Sequence, residues 1–457
     1  MKYIITFSFF TLLMLSATAS DYAVLGDTTK NPIQKAKIKY KVAEGMTKFE
    51  SYNYRGALTE FREVLALDEK NAGAHYGIAR CQYALGKFDL AKQYADKALA
   101  LDPKVDKDVN LVLGEINHRL GNLDEAISYY EKHKATLKEN EKRIAESGVD
   151  MYIAQCNYAK EMMKTPKDVK ITNLGENINT AAPEFAPCIS QDGKTLVFTS
   201  RRSTTKGGRV DKNFDFAYYT DIYISYLDTL TNEWTKGKAV KGKVNTEFHD
   251  GALGFTPDGK MLVYRNIDKV TGSGDIYVSK KSKSGKWGEP RPILEKEDPK
   301  ISKKINSSYF ESSASMTGDG KEIYFVSERP GGIGRADIYV AKKTKEGWQE
   351  PVNLGVNINT ADDEKCVFIS LDGTKLYFSS NGYNESLGSY DIYVSEKQPD
   401  GSWGKAVNLG YPINTVKEEK TIAISPDGKT AYVSAYYDID NKGNADIFSI
   451  DISKIVK

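Results

Sequence analysis

Five acidic side chains recur at one position in this sequence. Glu184, Asp250, Glu311, Glu364 and Glu419 each lie eight residues before the aspartate of an Asp-Gly pair. Crowded carboxylates favour a positive ligand, so a ring of them at a channel mouth would take a cation or a Lys- or Arg-bearing partner. The other reading is a repeated staple, in which each carboxylate accepts backbone N–H bonds from the Asn-Thr or Asn-Ser loop before it. Fivefold repetition favours the staple, because a ligand site rarely needs five equal parts. Other chemistry finds little material. The chain of 457 residues has four histidines and four cysteines, and only His249 falls among the acids. A Ser-His-Asp device would depend wholly on that histidine. No G-x-S-x-G elbow, zinc spacing or phosphate loop occurs. The stretch from Asp438 to Gly443 looks like the start of a calcium loop, but Lys442 takes the fifth ligand position and Ser449 the twelfth. No catalytic residue, metal or cofactor is therefore expected.

Charge points away from polyanions. Lys plus Arg is 64 against 62 for Asp plus Glu, a formal charge of +2, so nucleic acid is not an expected partner. Tyrosine at 29 and glycine at 37 favour β-structure with tight turns. At the start, Lys2, an apolar run from Ile4 to Leu15, and Ala17-Thr18-Ala19 form an export signal with a small-residue cleavage site. Residues 1–19 are read as that signal and 20–36 as a linker. No later stretch reaches ~18 apolar residues, so the mature chain carries no expected transmembrane segment.

From residue 37 to 165 the apolar spacing is helical and repeats. Tyr54, Phe88 and Leu123 are separated by 34 and 35 residues, as are Ala57, Ala91 and Ala126, and Phe61, Ala95 and Tyr130. Gly86 supplies a turn between paired helices and Pro103 ends the second of them. A last apolar helix around Val149, Ile153, Cys156 and Met162 has the place of a cap. This stretch resembles tetratricopeptide repeats (TPR), a solenoid of helix pairs. The resemblance implies a concave groove for partner segments, lined here by Tyr76, Arg80, Tyr83, Glu115 and His118.

From residue 166 to 457 the period becomes two. Asp-Gly pairs stand at Asp192, Asp258, Asp319, Asp372 and Asp427. Thirteen residues before each lies an asparagine: Asn179, Asn245, Asn306, Asn359 and Asn414. Asp-Ile-Tyr or Asp-Ile-Phe follows at Asp221, Asp275, Asp337, Asp391 and Asp446, and Trp234, Trp287, Trp348 and Trp403 open the next segments. Each copy reads as a four-stranded unit with an Asp-Gly hairpin, and five such units make a β-propeller. The last copy lacks its Trp-initiated strand. Asn173-Leu174-Gly175 has lost its own unit, so the strand near Ile171 is expected to complete the last blade and remove an open edge. The motifs resemble WD40-like blades of the TolB type. The whole is thus an α+β multidomain chain: a TPR-like solenoid, then an all-β five-bladed propeller closed by its N-terminal strand.

Two insertions break the regularity. Residues 201–220 combine Arg201, Arg202 and Arg209 with Phe214, Phe216, Tyr218 and Tyr219, and residues 295–304 lengthen the connection to the third blade. A long aromatic and basic loop on a rigid scaffold is an expected recognition surface. Arg201, Arg202, Phe214, Phe216 and Tyr218 are therefore candidate partner contacts. Cys81, Cys156, Cys188 and Cys366 read as buried small residues.

The order of signal, helical repeats and propeller resembles envelope proteins of Bacteroidetes-like bacteria, some of which serve type IX secretion. Many of those carry a following OmpA-like domain; this chain ends at Lys457 without one, so peptidoglycan binding is not implied. The expectation is a non-enzymatic scaffold, periplasmic or outer-membrane-associated, whose partners are envelope or outer-membrane proteins. The alternative is a propeller that binds or hydrolyses a glycan or peptide in its channel.

Overall fold

The computed structural model describes residues 31–138, 140–212, 214–266 and 274–455. The export segment at 1–19 and residues 20–30 of the linker lie outside the described residues. Two compact units result, one of helices together with Asp211–Ala217, the other of blades.

Eight helices build the first unit: α1 Pro32–Glu50, α2 Tyr54–Leu67, α3 Ala72–Ala84, α4 Phe88–Leu101, α5 Val109–Arg119, α6 Leu123–Thr136, α7 Glu141–Ser147 and α8 Val149–Lys164. The first begins five residues before the expected boundary. Asn31 and Gln34 form a reciprocal capping box there, with Pro32 already inside the first turn. Asparagine side chains cap three further starts, Asn53 to Gly56, Asn71 to Ala74 and Asn140 to Arg143. Gly86 and Gly121 turn the chain within repeats at φ of 70° and 78°.

Small residues let the paired helices approach. A Cβ on Gly77 would stand 2.5 Å from the Phe61 ring, and one on Gly45 2.7 Å from the same ring. Phe61 thus fills the space that two glycines vacate, and it is fully buried. Alanine is the better helix former by about 1 kcal/mol, yet Gly77→Ala should destabilise, since overpacking a closed core costs about 1–3 kcal/mol. Far-ultraviolet circular dichroism melting is the check; a rise in the helical transition would contradict this packing.

The second unit comprises five antiparallel sheets. Blade 1 runs through Glu184–Ile189, Thr195–Ser200 and Asp221–Asp228; blade 2 through Asp250–Phe255, Met261–Asn266 and Gly274–Ser279. Blade 3 is Glu311–Met316, Glu322–Ser327 and Asp337–Thr344; blade 4 is Glu364–Ile369, Lys375–Ser380 and Asp391–Glu396. Blade 5 has Glu419–Ile424, Thr430–Ala435 and Asp446–Asp451, and its fourth strand is Ile171–Asn173, paired as Ile171 with Ile450 and Asn173 with Phe448. The expected closure is present.

The tryptophan segments differ from the expectation. Trp234 and Trp348 make only two-residue strands against the far end of the third strand, and Trp287 and Trp403 only isolated bridges. The fourth strands proper lie downstream, at Lys238–Ala239, Arg291–Pro292, Val352–Asn353 and Val407–Asn408. The indoles fill the spaces between blades instead. Trp403 lies edge-on to Tyr324 of blade 3 at 5.8 Å, and Trp234 to Tyr432 of blade 5 at 6.1 Å. Among the described residues no helix is long and apolar enough to cross a membrane.

Candidate functional site: the buried carboxylate clamps

The repeated asparagine explains how each blade grips its neighbour. Asn179 accepts from Ile447 N and donates to Ile447 O, both at 2.8 Å. Asn245 treats Ile222 the same way, Asn306 treats Ile276, Asn359 treats Ile338, and Asn414 treats Ile392. Each carboxamide thus satisfies both backbone groups of the isoleucine in the preceding Asp-Ile-Tyr strand, which a buried backbone requires.

The acidic residue five positions on turns back into that loop. Glu184 accepts from Thr180 N at 2.7 Å and Thr180 Oγ1 at 2.8 Å. Asp250, Glu311, Glu364 and Glu419 do likewise with Thr246, Ser307, Thr360 and Thr415. A β-bulge interrupts the first strand of every blade. In four blades it lies at or next to the acid, where it re-aims the side chain. All five carboxylates are 0% exposed. This corrects the picture of an acidic ring open at a channel mouth: the geometry is that of the staple, with its oxygens spent on the chain's own N–H and O–H groups.

Three blades add a counter-charge. Arg202 Nε lies 2.9 Å from Glu184, Arg265 Nε 3.3 Å from Asp250, and Arg329 Nη2 3.3 Å from Glu311. The same guanidinium groups donate to the carbonyl just before the asparagine, at Ile178, Val244 and Ile305. Arg202 also lies 4.5 Å over the Tyr223 ring. Arg202 is therefore internal wiring, and its assignment as a partner contact is corrected. In blades 4 and 5 a tyrosine takes over the carbonyl: Tyr383 donates to Ile358 O at 2.6 Å, and Tyr437 to Ile413 O. Glu364 and Glu419 are left with neutral donors. Burial pushes Glu364 up to about 8 and raises Glu419 well above the carboxylate range. Burial also raises Asp250 to about 6, against the pull of Thr246 and Arg265, and raises Glu311.

The aspartates of Asp-Ile-Tyr and Asp-Ile-Phe fasten the loops that precede them. Asp221 accepts from Lys206 N, Asp337 from Ile333 N and Gly334 N, Asp391 from Leu387 N and Gly388 N, and Asp446 from Lys442 N. The described residues of the 201–220 insertion fold back as a hairpin. Val210 pairs with Tyr218, Phe216 N donates to Asp211 O at 2.9 Å, and Arg201 Nε donates to Tyr218 O at 2.6 Å. Phe216 sits at a φ of 56°, and Tyr218 is exposed. Phe214 belongs with the helical unit. The 295–304 insertion carries a short helix, Pro299–Ile305, capped by Asp298.

The helical candidates are also more enclosed than a groove lining. Tyr76, Tyr83 and His118 are 1%, 3% and 0% exposed. Tyr76 and Tyr83 lie on α3, which stands mid-stack with α1, α2, α4 and α5 against it, and His118 lies on α5, with α3, α4 and α6 against it. Tyr76 donates to Asp106 Oδ1 at 3.3 Å, and His118 packs edge-on to Tyr130. Arg80 is half-buried, its guanidinium 4.2 Å over Phe49. Glu115 is buried, and desolvation raises it to about 7 against the opposing pull of Arg119. All four cysteines are free; three are buried and Cys366 is intermediate.

One carboxyl missed in the sequence stands apart from the staples. Glu328 is half-buried, 3.8 Å from Lys365 Nζ, which is equally far from Asp363; Arg335 lies 3.2 Å from Asp363. Burial raises Glu328 to about 7. Its only signal in the sequence is a glutamate following the second strand, where the other blades place Arg201, Asn266, Asn381 and Tyr436.

Comparison with known proteins bears on the helices. Residues 48–104 and 83–140 match two family models described as tetratricopeptide repeat. No curated protein matches the chain. Among solved structures, the type III secretion translocator chaperone SycD of Yersinia enterocolitica is similar at 20% identity, over 29% of this chain and 99% of that one, with a TM-score of 0.26. A structure titled glycoside hydrolase is similar at 12% identity, over 65% and 94%, with a TM-score of 0.42. A protein of unknown function from Dyadobacter fermentans is similar at 12% identity, over 59% and 76%, with a TM-score of 0.35. At these identities and TM-scores nothing of those proteins' activities transfers. The chain consists of a helical tetratricopeptide-repeat region followed by a five-bladed β-propeller.

Proposed function

We propose that this chain is a non-enzymatic scaffold that binds other proteins. One observation carries the reading: the five repeated carboxylates, the residues best placed for chemistry by sequence, are each buried and hydrogen-bonded to the loop before them. The tetratricopeptide match supports protein partners. We extend the proposal to an exported protein of the cell envelope, on the strength of the N-terminal segment, with TolB-type blades and envelope or outer-membrane proteins as partners. Arg201, Phe214, Phe216 and Tyr218 each remain a proposed partner contact. The test is crosslinking of the full chain in native envelopes. Discrete protein adducts mapping to the helices or to the 201–220 hairpin are expected. Their absence, or equal labelling of the Asp-Gly turns at Lys194 and Lys260, overturns the reading.

A second reading rests on Glu328. A carboxyl held near neutrality beside Asp363 has the makings of a general acid, which suits a propeller that binds or hydrolyses a glycan or peptide. Incubation with polysaccharides, peptidoglycan fragments and peptides should give no turnover. Cleavage that vanishes in Glu328→Gln would establish this second reading over the first.

A further inference from the structure

The five clamps are not equivalent, and the difference follows a boundary in the ring. Blades 1 to 3 each aim a guanidinium at the buried carboxylate. A guanidinium only donates, so it demands an ionised partner. Around Glu364 the partners are Thr360 N at 3.1 Å and the hydroxyls of Thr360 and Ser380, both at 2.8 Å. Hydroxyls can reverse and accept, so this site accommodates a carboxylic acid as readily as a carboxylate. Blade 5 goes further. The position of Ser380 is held by Ala435, which faces Glu419 across the ladder, leaving Glu419 with Thr415 N and Thr415 Oγ1.

The surrounding charges deepen the asymmetry. Facing Glu364 are Asp337 from blade 3, whose charge opposes ionisation, and Tyr383 from its own blade. Asp363 and Lys365 flank it in sequence, and Arg335 from blade 3 is engaged by Asp362 and Asp363. Facing Glu419 is Asp391 from blade 4, fully enclosed, with Glu418 beside it; both oppose ionisation. Lys420 is paired to Glu418 at 2.7 Å and Lys417 to Asp438, so neither cation is directed at Glu419. Tyr437 contributes a neutral hydroxyl that is spent on Ile413 O.

We propose that blades 4 and 5 hold Glu364 and Glu419 as neutral acids, forming a pH-sensitive pair among the five blades that loosens on deprotonation while blades 1 and 3 stay closed. The sign follows from linkage. A folded pKa raised above the unfolded value gives stability that is complete below the unfolded pKa and is lost as pH rises through the folded one. For Glu364 that window runs from the ordinary carboxylate range up to about 8.

Hydrogen exchange of the full chain at about pH 6 and about pH 9, corrected for intrinsic rates, is the test. Peptides from Lys375–Ser380 and Thr430–Ala435 should lose protection by about tenfold or more at the higher pH, relative to Thr195–Ser200 and Glu322–Ser327. The Glu364→Gln/Glu419→Gln variant should keep its protection at both. Uniform change across all blades, or the same loss in the variant, overturns the proposal. Should the double variant not fold, infrared difference spectra of the wild type and of the Glu364→Gln single variant decide. A protonated-carboxyl band lost between the two pH values that is smaller in the single variant supports the proposal, and a band of equal size in both overturns it.

Discussion

Arg202→Met should lower the stability of the propeller by about 3–5 kcal/mol, the cost of removing one partner from a buried ion pair. Glu184 is fully enclosed, and Arg202 is the one cation that the described residues place on it. The substitution keeps the apolar stem that covers Phe198 and Tyr223 but strands the carboxylate and frees Ile178 O. Adding Glu184→Gln should restore much of the loss, because the amide oxygen can still accept from Thr180 N and the uncompensated charge is gone. All four tryptophans lie in the blades, so the denaturant midpoint of tryptophan fluorescence reports this unit alone. An unchanged midpoint in the single variant would mean that Arg202 is free for a partner after all.

The architecture was legible because it repeats. Asn179 and its four counterparts, the Asp-Gly turns and the Asp-Ile-Tyr strands announce five blades, and the stranded Asn173-Leu174-Gly175 announces the closure that Ile171 and Ile450 make. The staple reading of the acids followed from the same repetition. What escaped was everything decided by side-chain direction. Position within a helix pair put Tyr76, Tyr83 and His118 on a groove, but packing from the neighbouring helices encloses them. Composition made Arg202 a surface contact, although a carboxylate eighteen residues upstream claims it. The tryptophans mark strand starts by spacing, yet rings of that size fit between blades rather than in a ladder. Glu328 could not be found by repetition, because its position varies from blade to blade.

Removal of residues 166–176 should unfold or open the propeller, and its effect should exceed that of any single substitution in the closing strand. Three residue pairs join Ile171–Asn173 to Asp446–Asp451. Leu174 N donates to Ile447 O at 3.1 Å, and Asp451 N to Lys170 O at 3.1 Å. Asn173 adds a 2.8 Å bond to Asp446 and accepts from Asn179, which in turn clamps Ile447. Each backbone bond contributes about 0.5–1.5 kcal/mol net, so the strand as a whole is worth several kcal/mol before packing of Ile171 on the Ile450 cluster is counted. Asn173→Ala alone removes the Asp446 and Asn179 contacts and should cost about 1–3 kcal/mol, since it leaves buried polar groups unsatisfied. The deletion has a second consequence that the point variant lacks. It uncovers the edge of Asp446–Asp451, an unpaired strand whose apolar Ile447 and Ile450 invite pairing with another copy. The deleted chain should therefore show both a lowered tryptophan-fluorescence midpoint and concentration-dependent association in light scattering, while Asn173→Ala shows only the first. A deleted chain that stays monomeric with an unchanged midpoint would mean that the ring does not depend on its N-terminal strand for closure.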